Sequence, residues 1–508
     1  MGTVKRIGRV FVYAGISIGA GLLVSSSTIT NAGASGASGN LNGQDFNVPG
    51  DPPQQSANQP ASAGSGQTTA SSTSARDPGL RAGAPNAGGP LGTLTADQLQ
   101  YFEDGQNRFI EVDSVSGTAP GEPGTGLGPS FNSNSCGSCH SQPTIGGSSP
   151  STNPQIAAAS DYGATNAIPP FITPTGPVRE ARFPFFLTSA GAVSQTPDGG
   201  VHDLFTIAGR QDASGCTMAQ PNFAEMVDLN NITFRIPTPL FGAGLIENIS
   251  DVTIYANMAA NASLKQSLGI SGHPNVSGND GTITRFGWKA QNKSTEMFAG
   301  EAYNVEMGVT NEVFPDERSL PPASCLYNPT PEDSTNFPAS GAAILSDIVA
   351  FSNFVRLLAP PAPSSKGIPG NPSAQSLSDG RSLFSQIHCD LCHTPSMQTT
   401  SSSLTSALNH QTAALFSDLL VHHMGSGLAD NVSQGSAGPD EFRTAPLWGV
   451  GQRLFFLHDG RANPTNGGLL MAIQAHSSSG SEAQGVISLF NQLSNQQKQD
   501  LLNFLRSL

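Results

Sequence analysis

The chain has 508 residues and a formal net charge of −14, enough length for two or three domains with a sizeable core. That charge argues against nucleic acid and against anionic membrane surfaces as partners. Only 12% of the residues are charged while Gly and Pro number 57 and 38, so a loop-rich chain is expected, whose core is not filled by side chains alone.

Lys5, Arg6 and Arg9 precede an apolar run from Val10 to Val24, and Ala32-Gly33-Ala34 offers a small-residue cleavage site. Residues 1–34 therefore read as an export signal. The run is short for a membrane span; an uncleaved anchor is the alternative, and no stable membrane insertion is expected once the signal is removed. No Cys precedes Cys136, which excludes lipid attachment at an N-terminal cysteine. Residues 35–92 are rich in Gly, Ser, Ala, Pro, Asn and Gln with almost no large apolar side chain, and read as a disordered leader. Order is expected to begin at Thr95-Ala96-Asp97-Gln98, a capping-box pattern opening an amphipathic helix through Leu99, Phe102 and Phe109.

Cys136-Gly137-Ser138-Cys139-His140 follows, and the pattern returns at Cys389-Asp390-Leu391-Cys392-His393. Two cysteines one helical turn apart can form thioethers to the two vinyl groups of a haem, and the next residue, His140 or His393, becomes the proximal iron ligand. A zinc site or a disulfide pair explains neither histidine. Two covalently bound haem c groups are therefore expected, attached through Cys136, Cys139, Cys389 and Cys392. Covalent haem attachment happens outside the cytoplasmic membrane, so the export signal points to a bacterial periplasm. The acidic chain is compatible with a basic electron-donor protein. The two remaining cysteines, Cys216 and Cys325, form an even pair in an oxidising compartment, and a disulfide between them is expected, two separate loop thiols being the alternative.

An internal repeat surrounds the motifs. Asp104-Gly105 with Phe109 matches Asp379-Gly380 with Phe384. Downstream, Phe234-Arg235 and Pro239-Leu240-Phe241-Gly242-Ala243-Gly244 match Phe442-Arg443 and Pro446-Leu447-Trp448-Gly449-Val450-Gly451. The expected fold is mainly α with long irregular loops, in two cytochrome c-like haem modules related by internal duplication. The first spans 93–370 with long insertions and the second 371–508, joined by a linker around Pro360, Pro361 and Pro363. A last helix is expected from the capping box of Ser494 and Gln497, with an apolar stripe of Leu501, Leu502, Phe504, Leu505 and Leu508.

At Leu127-Gly128-Pro129-Ser130-Phe131-Asn132, Gly146-Gly147, Phe286-Gly287-Trp288-Lys289, Glu301-Ala302-Tyr303, Glu306-Met307-Gly308, Phe442-Arg443-Thr444-Ala445-Pro446-Leu447-Trp448-Gly449 and His458-Asp459-Gly460-Arg461, the chain resembles the bacterial di-haem oxidoreductases. These are related to the di-haem cytochrome c peroxidases, and the resemblance covers about 93–508. It implies one haem that meets peroxide and a second that passes electrons to it, supplied by a small cytochrome or cupredoxin. It also implies that Glu306, in Val305-Glu306-Met307, is the acid/base for peroxide cleavage, and that Trp288 bridges the haems. The plain alternatives are a solvated helix carboxylate and a core tryptophan. In the peroxidases a methionine ligates the electron-transfer haem three residues after an Ala-Val; here Ala472-Ile473-Gln474-Ala475-His476 puts His476 there. Met471 and Met424 are the alternatives, as is an exposed helix histidine.

Arg285 and Arg461 are candidate partners for haem propionates, because a planar guanidinium suits a carboxylate. His458 could orient a propionate or ligate iron, the family pattern favouring the structural role, and Trp448 is expected to pack beside haem two. His202, His273, His388 and His410 read as structural or surface residues. No histidine lies between Ser141 and His202, where relatives that need reductive activation carry a distal ligand, so haem one is expected to be open. The Thr and Pro that help hold calcium in those relatives are missing before His458, leaving calcium open but unsupported. The leading expectation is an oxidoreductase that reduces or uses hydrogen peroxide. A dioxygen-dependent oxygenase similar to the di-haem rubber oxygenases, and a plain electron carrier with both irons six-coordinate, are the alternatives.

Overall fold

The computed structural model describes residues 74–336, 345–401 and 405–508. The expected signal, and the leader as far as residue 73, lie outside them. Among the described residues are thirteen α-helices and ten strands of at most five residues, the strands pairing only as two-stranded antiparallel ribbons. Helices set in long irregular loops were expected, and they are found. The ribbons are too short to show a two-residue period in the sequence.

The first helix (α1, Ala96–Ile110) begins as read: the Thr95 hydroxyl accepts from the Gln98 amide and the Gln98 side chain accepts from the Thr95 amide. Phe102 and Phe109 are buried, whereas Leu99 is 38% exposed and takes no part in the core. A ribbon follows, in which Glu180–Arg182 (β1) pairs with Thr233–Arg235 (β2) so that Glu180 sits opposite Arg235. Next come Thr295–Glu306 (α2), capped by the Ser294 hydroxyl, and Asp347–Leu357 (α3). The helices α1 and α3 cross at Gly105, where a Cβ would lie 2.2 Å from the Ala350 carbonyl oxygen. That close approach puts Phe354 against Phe102 and Phe109, with ring centroids 5.2 and 5.0 Å apart.

The C-terminal part repeats this geometry. Ala374–Gln386 (α4) is followed by a ribbon of Val421–His423 (β3) and Glu441–Arg443 (β4), then Gly468–Ala475 (α5) and Asn495–Ser507 (α6). At Gly380 a Cβ would stand 2.0 Å from the Asp500 carbonyl oxygen of α6, and Phe384 meets Phe504 at 5.7 Å. The capping box of α6 is present, and its five stripe residues are buried. Trp448 is buried beside Gly242 and does not line the cavity onto which the second Cys-x-x-Cys-His motif opens, which corrects its expected place. Cys216 and Cys325 are joined by a disulfide, as expected. No described helix is long and apolar enough to cross a membrane.

The reading of 35–92 as a disordered leader fails for residues 74–92, which form a strap on the C-terminal helices. Composition misled because the strap is held by polar groups. The Asp77 carboxylate accepts from Nε and Nη2 of the fully buried Arg506 at 2.7 and 2.6 Å and from the Leu469 amide, at the start of α5, at 2.7 Å. The Arg81 amide donates to the Gly451 carbonyl, and Ala75 joins the core beside Phe504. Removing one partner of a buried ion pair strands the other charge, so Asp77→Ala should cost about 3 to 5 kcal/mol. Urea denaturation of the haem-loaded protein measures this; a loss under about 1 kcal/mol would mean the pair behaves as a surface one.

Candidate functional site

Both Cys-x-x-Cys-His motifs open onto cavities. The first, about 150 Å³, is lined by Cys136, Cys139 and His140. The two cysteines bracket a single helical turn, which places both sulfurs on one side. The His140 Nδ1 lies 3.0 Å from the Gly147 carbonyl, so Nδ1–H donates there and Nε2 keeps its lone pair. Burial lowers the His140 pKa to about 4, which favours the neutral, ligating imidazole. Phe109 packs edge-on to the ring at 5.9 Å.

The second cavity, about 220 Å³, is lined by Cys389, Cys392 and His393. The His393 Nδ1 is fixed 3.0 Å from the Phe416 carbonyl, and burial together with nearby His476 lowers its pKa to about 4. His476, at the end of α5, lines the same cavity with its Nδ1 held 2.8 Å from the Ala472 carbonyl. Met424 also lines it; Met471 packs into the helical core and does not.

These donor sets fit haem c. Each cavity holds two unpaired cysteine sulfurs and an imidazole with one free nitrogen, next to space that the side chains do not fill. Zinc fits poorly. Among the described residues Cys392, Asp418 and His422 form the one group that could hold an ion, yet His422 already uses both ring nitrogens, on Asp418 at 2.9 Å and on Glu482 at 2.7 Å.

Glu306, at the end of α2, also lines the first cavity. Burial and the adjacent Glu180, to which it is hydrogen-bonded, push its pKa well above the ordinary value. Burial works against Glu180 too, but Arg182 and Arg235 overcome it and keep Glu180 ionised. The pair thus holds one proton, on Glu306. Glu180 was not singled out from the sequence, although its place opposite Arg235 follows from the ribbon register. Among the described residues lining this cavity, His140 is the only histidine.

Trp288 lines both cavities, its indole N–H donating to the Ile236 carbonyl at 2.9 Å. Beside it a buried polar chain runs the same way. Arg235 donates to Asp430 at 2.9 Å, Asp430 pairs with Lys289 at 3.1 Å, and the Lys289 ammonium lies 4.1 Å from the centre of the Phe442 ring. Phe442 stacks on His458 at 4.2 Å, and the buried His458 Nε2 has no partner.

The expected propionate partners need correction. Arg285 lines neither cavity, because Asp251 and the Ile249 carbonyl claim its guanidinium. Arg461 is exposed and engaged by Asp459 and the Gly427 carbonyl. Arg443 and Arg453 line the second cavity instead, both with pKa lowered to about 10 by burial, and the Arg443 Nη1 has no partner. The repeated Phe-Arg was the available signal, since Arg235 and Arg443 each face a cavity. Of the histidines read as structural, His202 pairs with Asp198 and His273 with Glu441, while His388 lines the second cavity.

Two buried histidine-bearing cavities that share a tryptophan wall are what a two-centre redox protein requires. Residues 196–508 match the family model described as "Di-haem oxidoreductase, putative peroxidase", and the chain belongs to that family. The match takes in the second motif, Trp288 and Glu306 but begins after the first motif. Two solved structures are similar. Hydrazine synthase of Kuenenia stuttgartiensis, pressurised with xenon, is 13% identical over 89% of this chain and 100% of its own, with a TM-score of 0.32. A MauG-like protein associated with microbial copper homeostasis is 16% identical over 54% of this chain and 91% of its own, with a TM-score of 0.24. No curated protein matches.

Glu482 sets an acid limit on the second site. Burial would raise its pKa, but the His422 imidazolium and the Ser271 and His423 amides bring it from 4.5 to about 2. A carboxylate depressed in the folded state contributes in full above about pH 4.5 and loses its contribution as the pH falls to about 2. Wild type should therefore lose on the order of 3 kcal/mol over that interval through this group, and Glu482→Gln should not. Denaturation midpoints across the interval decide; parallel curves for the two proteins would count against the pair.

Proposed function

We propose that the chain is an exported, periplasmic di-haem c oxidoreductase that reduces or uses hydrogen peroxide in its first cavity and relays electrons through the second. The observation that carries this is a buried Glu306 lining the same cavity as Cys136, Cys139 and His140 and hydrogen-bonded to Glu180, which with burial raises its pKa. Cys136 and Cys139 would hold one haem and Cys389 and Cys392 the other, with His140 serving the first iron and His393 and His476 the second. Haem supplies the redox-active iron. The polypeptide supplies the proton control: Glu306 delivers its proton to the departing oxygen and takes one back from the near oxygen, and ionised Glu180 keeps the pair at a single proton. Arg443 and Arg453 hold propionates, and Trp288, which lines both cavities, bridges them. A small cytochrome or cupredoxin is the expected donor. The matched packing at Gly105 and Gly380, and the two ribbons ending in Arg235 and Arg443, support descent by internal duplication.

Glu306→Gln should lower peroxide turnover by roughly 10²- to 10⁴-fold at unchanged haem content. Unaltered turnover would falsify the acid/base role and move weight to dioxygen chemistry. His476 opposite His393 should make haem two low-spin, without the near-infrared band of a methionine ligand, and His476→Gly should turn it high-spin. Should the band appear in wild type, or the variant stay low-spin, Met424 becomes the ligand.

A further inference from the structure

We propose that Tyr303 is a redox-active residue of the first cavity, giving up one electron as its hydroxyl proton passes to Asp347; this rests on the peroxide reading. Tyr303 lies one turn before Glu306 on α2, so both face the same cavity. Aromatic contacts lead from the phenol to the proximal histidine. Tyr303 meets Phe351 edge-on at 5.0 Å, Phe351 meets Phe109 at 6.2 Å, and Phe109 meets His140 at 5.9 Å. On a second route Met307, whose amide donates to the Tyr303 carbonyl, places Sδ 3.7 Å from the Cys136 sulfur.

The hydroxyl is the unusual feature. It lies 3.0 Å from Asp113 Oδ2 and 3.2 Å from Asp347 Oδ2, two carboxyl groups around one phenol. One phenolic hydrogen serves one carboxylate, so the second contact needs a carboxyl that keeps its own proton. That one is Asp113: burial, chiefly, pushes its pKa to about 8, and it has no cation within ion-pair distance among the described residues. The phenol then donates to Asp347, whose side chain is 26% exposed and lies 3.4 Å from the Arg108 guanidinium. Satisfying a buried tyrosine takes one acceptor. A phenol held between a protonated and an ionised carboxyl is arranged to release its proton to the ionised one.

Such an arrangement matters because a phenol oxidised while still protonated becomes a strong acid; a base in contact removes that barrier. The step balances as Tyr303–OH giving a neutral phenoxyl radical and one electron, with the proton on Asp347. Hydrogen peroxide accepts two electrons and two protons as its O–O bond breaks to give two waters. Tyr303 supplies one of those electrons, the second centre the other, and both protons come from solvent. The small electron-donor protein later returns one electron to Tyr303, as Asp347 returns the proton, and another to the second centre.

The test uses the full chain loaded with both haems. One sample is mixed with hydrogen peroxide and another with hexachloroiridate(IV), a one-electron oxidant that needs no peroxide site; both are frozen quickly for electron paramagnetic resonance. A tyrosyl radical is expected in wild type and none in Tyr303→Phe. Asp347→Asn should lower its yield by about 10²-fold, the low end for losing a proton acceptor. A radical with hexachloroiridate(IV) alone supports Tyr303 while sinking the peroxide reading. No tyrosyl radical from either oxidant, or one that persists in Tyr303→Phe, overturns the proposal. If Tyr303→Phe holds less haem, Asp347→Asn decides, and an undiminished yield there overturns it.

Discussion

A histidine offers one ring nitrogen to a metal reliably only when the other is already committed, and that commitment is made twice here by a backbone carbonyl. Gly147 fixes His140 and Phe416 fixes His393. Each carbonyl belongs to a loop that must be placed to within a hydrogen bond, and the surrounding helices exist to place it. Gly105 and Gly380 allow α1 and α4 to approach α3 and α6 backbone to backbone, and the phenylalanine four residues on then meets the imidazole. A methyl group at either glycine would move the helix, the phenylalanine and finally the ring.

Few of the charges close to the cavities are left to solvent. Glu180 with Arg182, Arg235 with Asp430, and Lys289 with Asp430 pair in a medium where an isolated charge is prohibitive. Their joint effect is to set which of two touching carboxyls keeps a proton. The same arrangement spans the wall between the cavities, so a change of charge at one site is felt electrostatically at the other. Among the described residues Trp288 is the one residue shared by both linings, and its N–H is satisfied by the Ile236 carbonyl.

What could be read from the sequence was whatever lies close together in it. The two Cys-x-x-Cys-His motifs, both capping boxes and the last helix needed only spacing of a few residues. The disulfide was reachable by arithmetic on six cysteines. Glu306 and His476 came from resemblance, and each lines one of the two cavities. What failed was the pairing of charges. Arg285 looks as available as Arg443 and Arg453 in the sequence, and only the fold reveals that Asp251, 34 positions before it, had already taken it; Arg461 is taken by its near neighbour Asp459. Glu180 was invisible for the same reason, since its meaning depends on a three-residue ribbon and on α2, more than a hundred positions away.

The strap imposes an order on synthesis. Asp77 and Arg506 are 429 positions apart, so Asp77 has long left the ribosome when its partner is made. Until then the Leu469 amide at the start of α5 has only one end of its anchor, and the helix carrying His476 cannot be fastened at both ends. The wall of the second cavity that carries His476 can therefore close only once Arg506 has been made and α6 has docked.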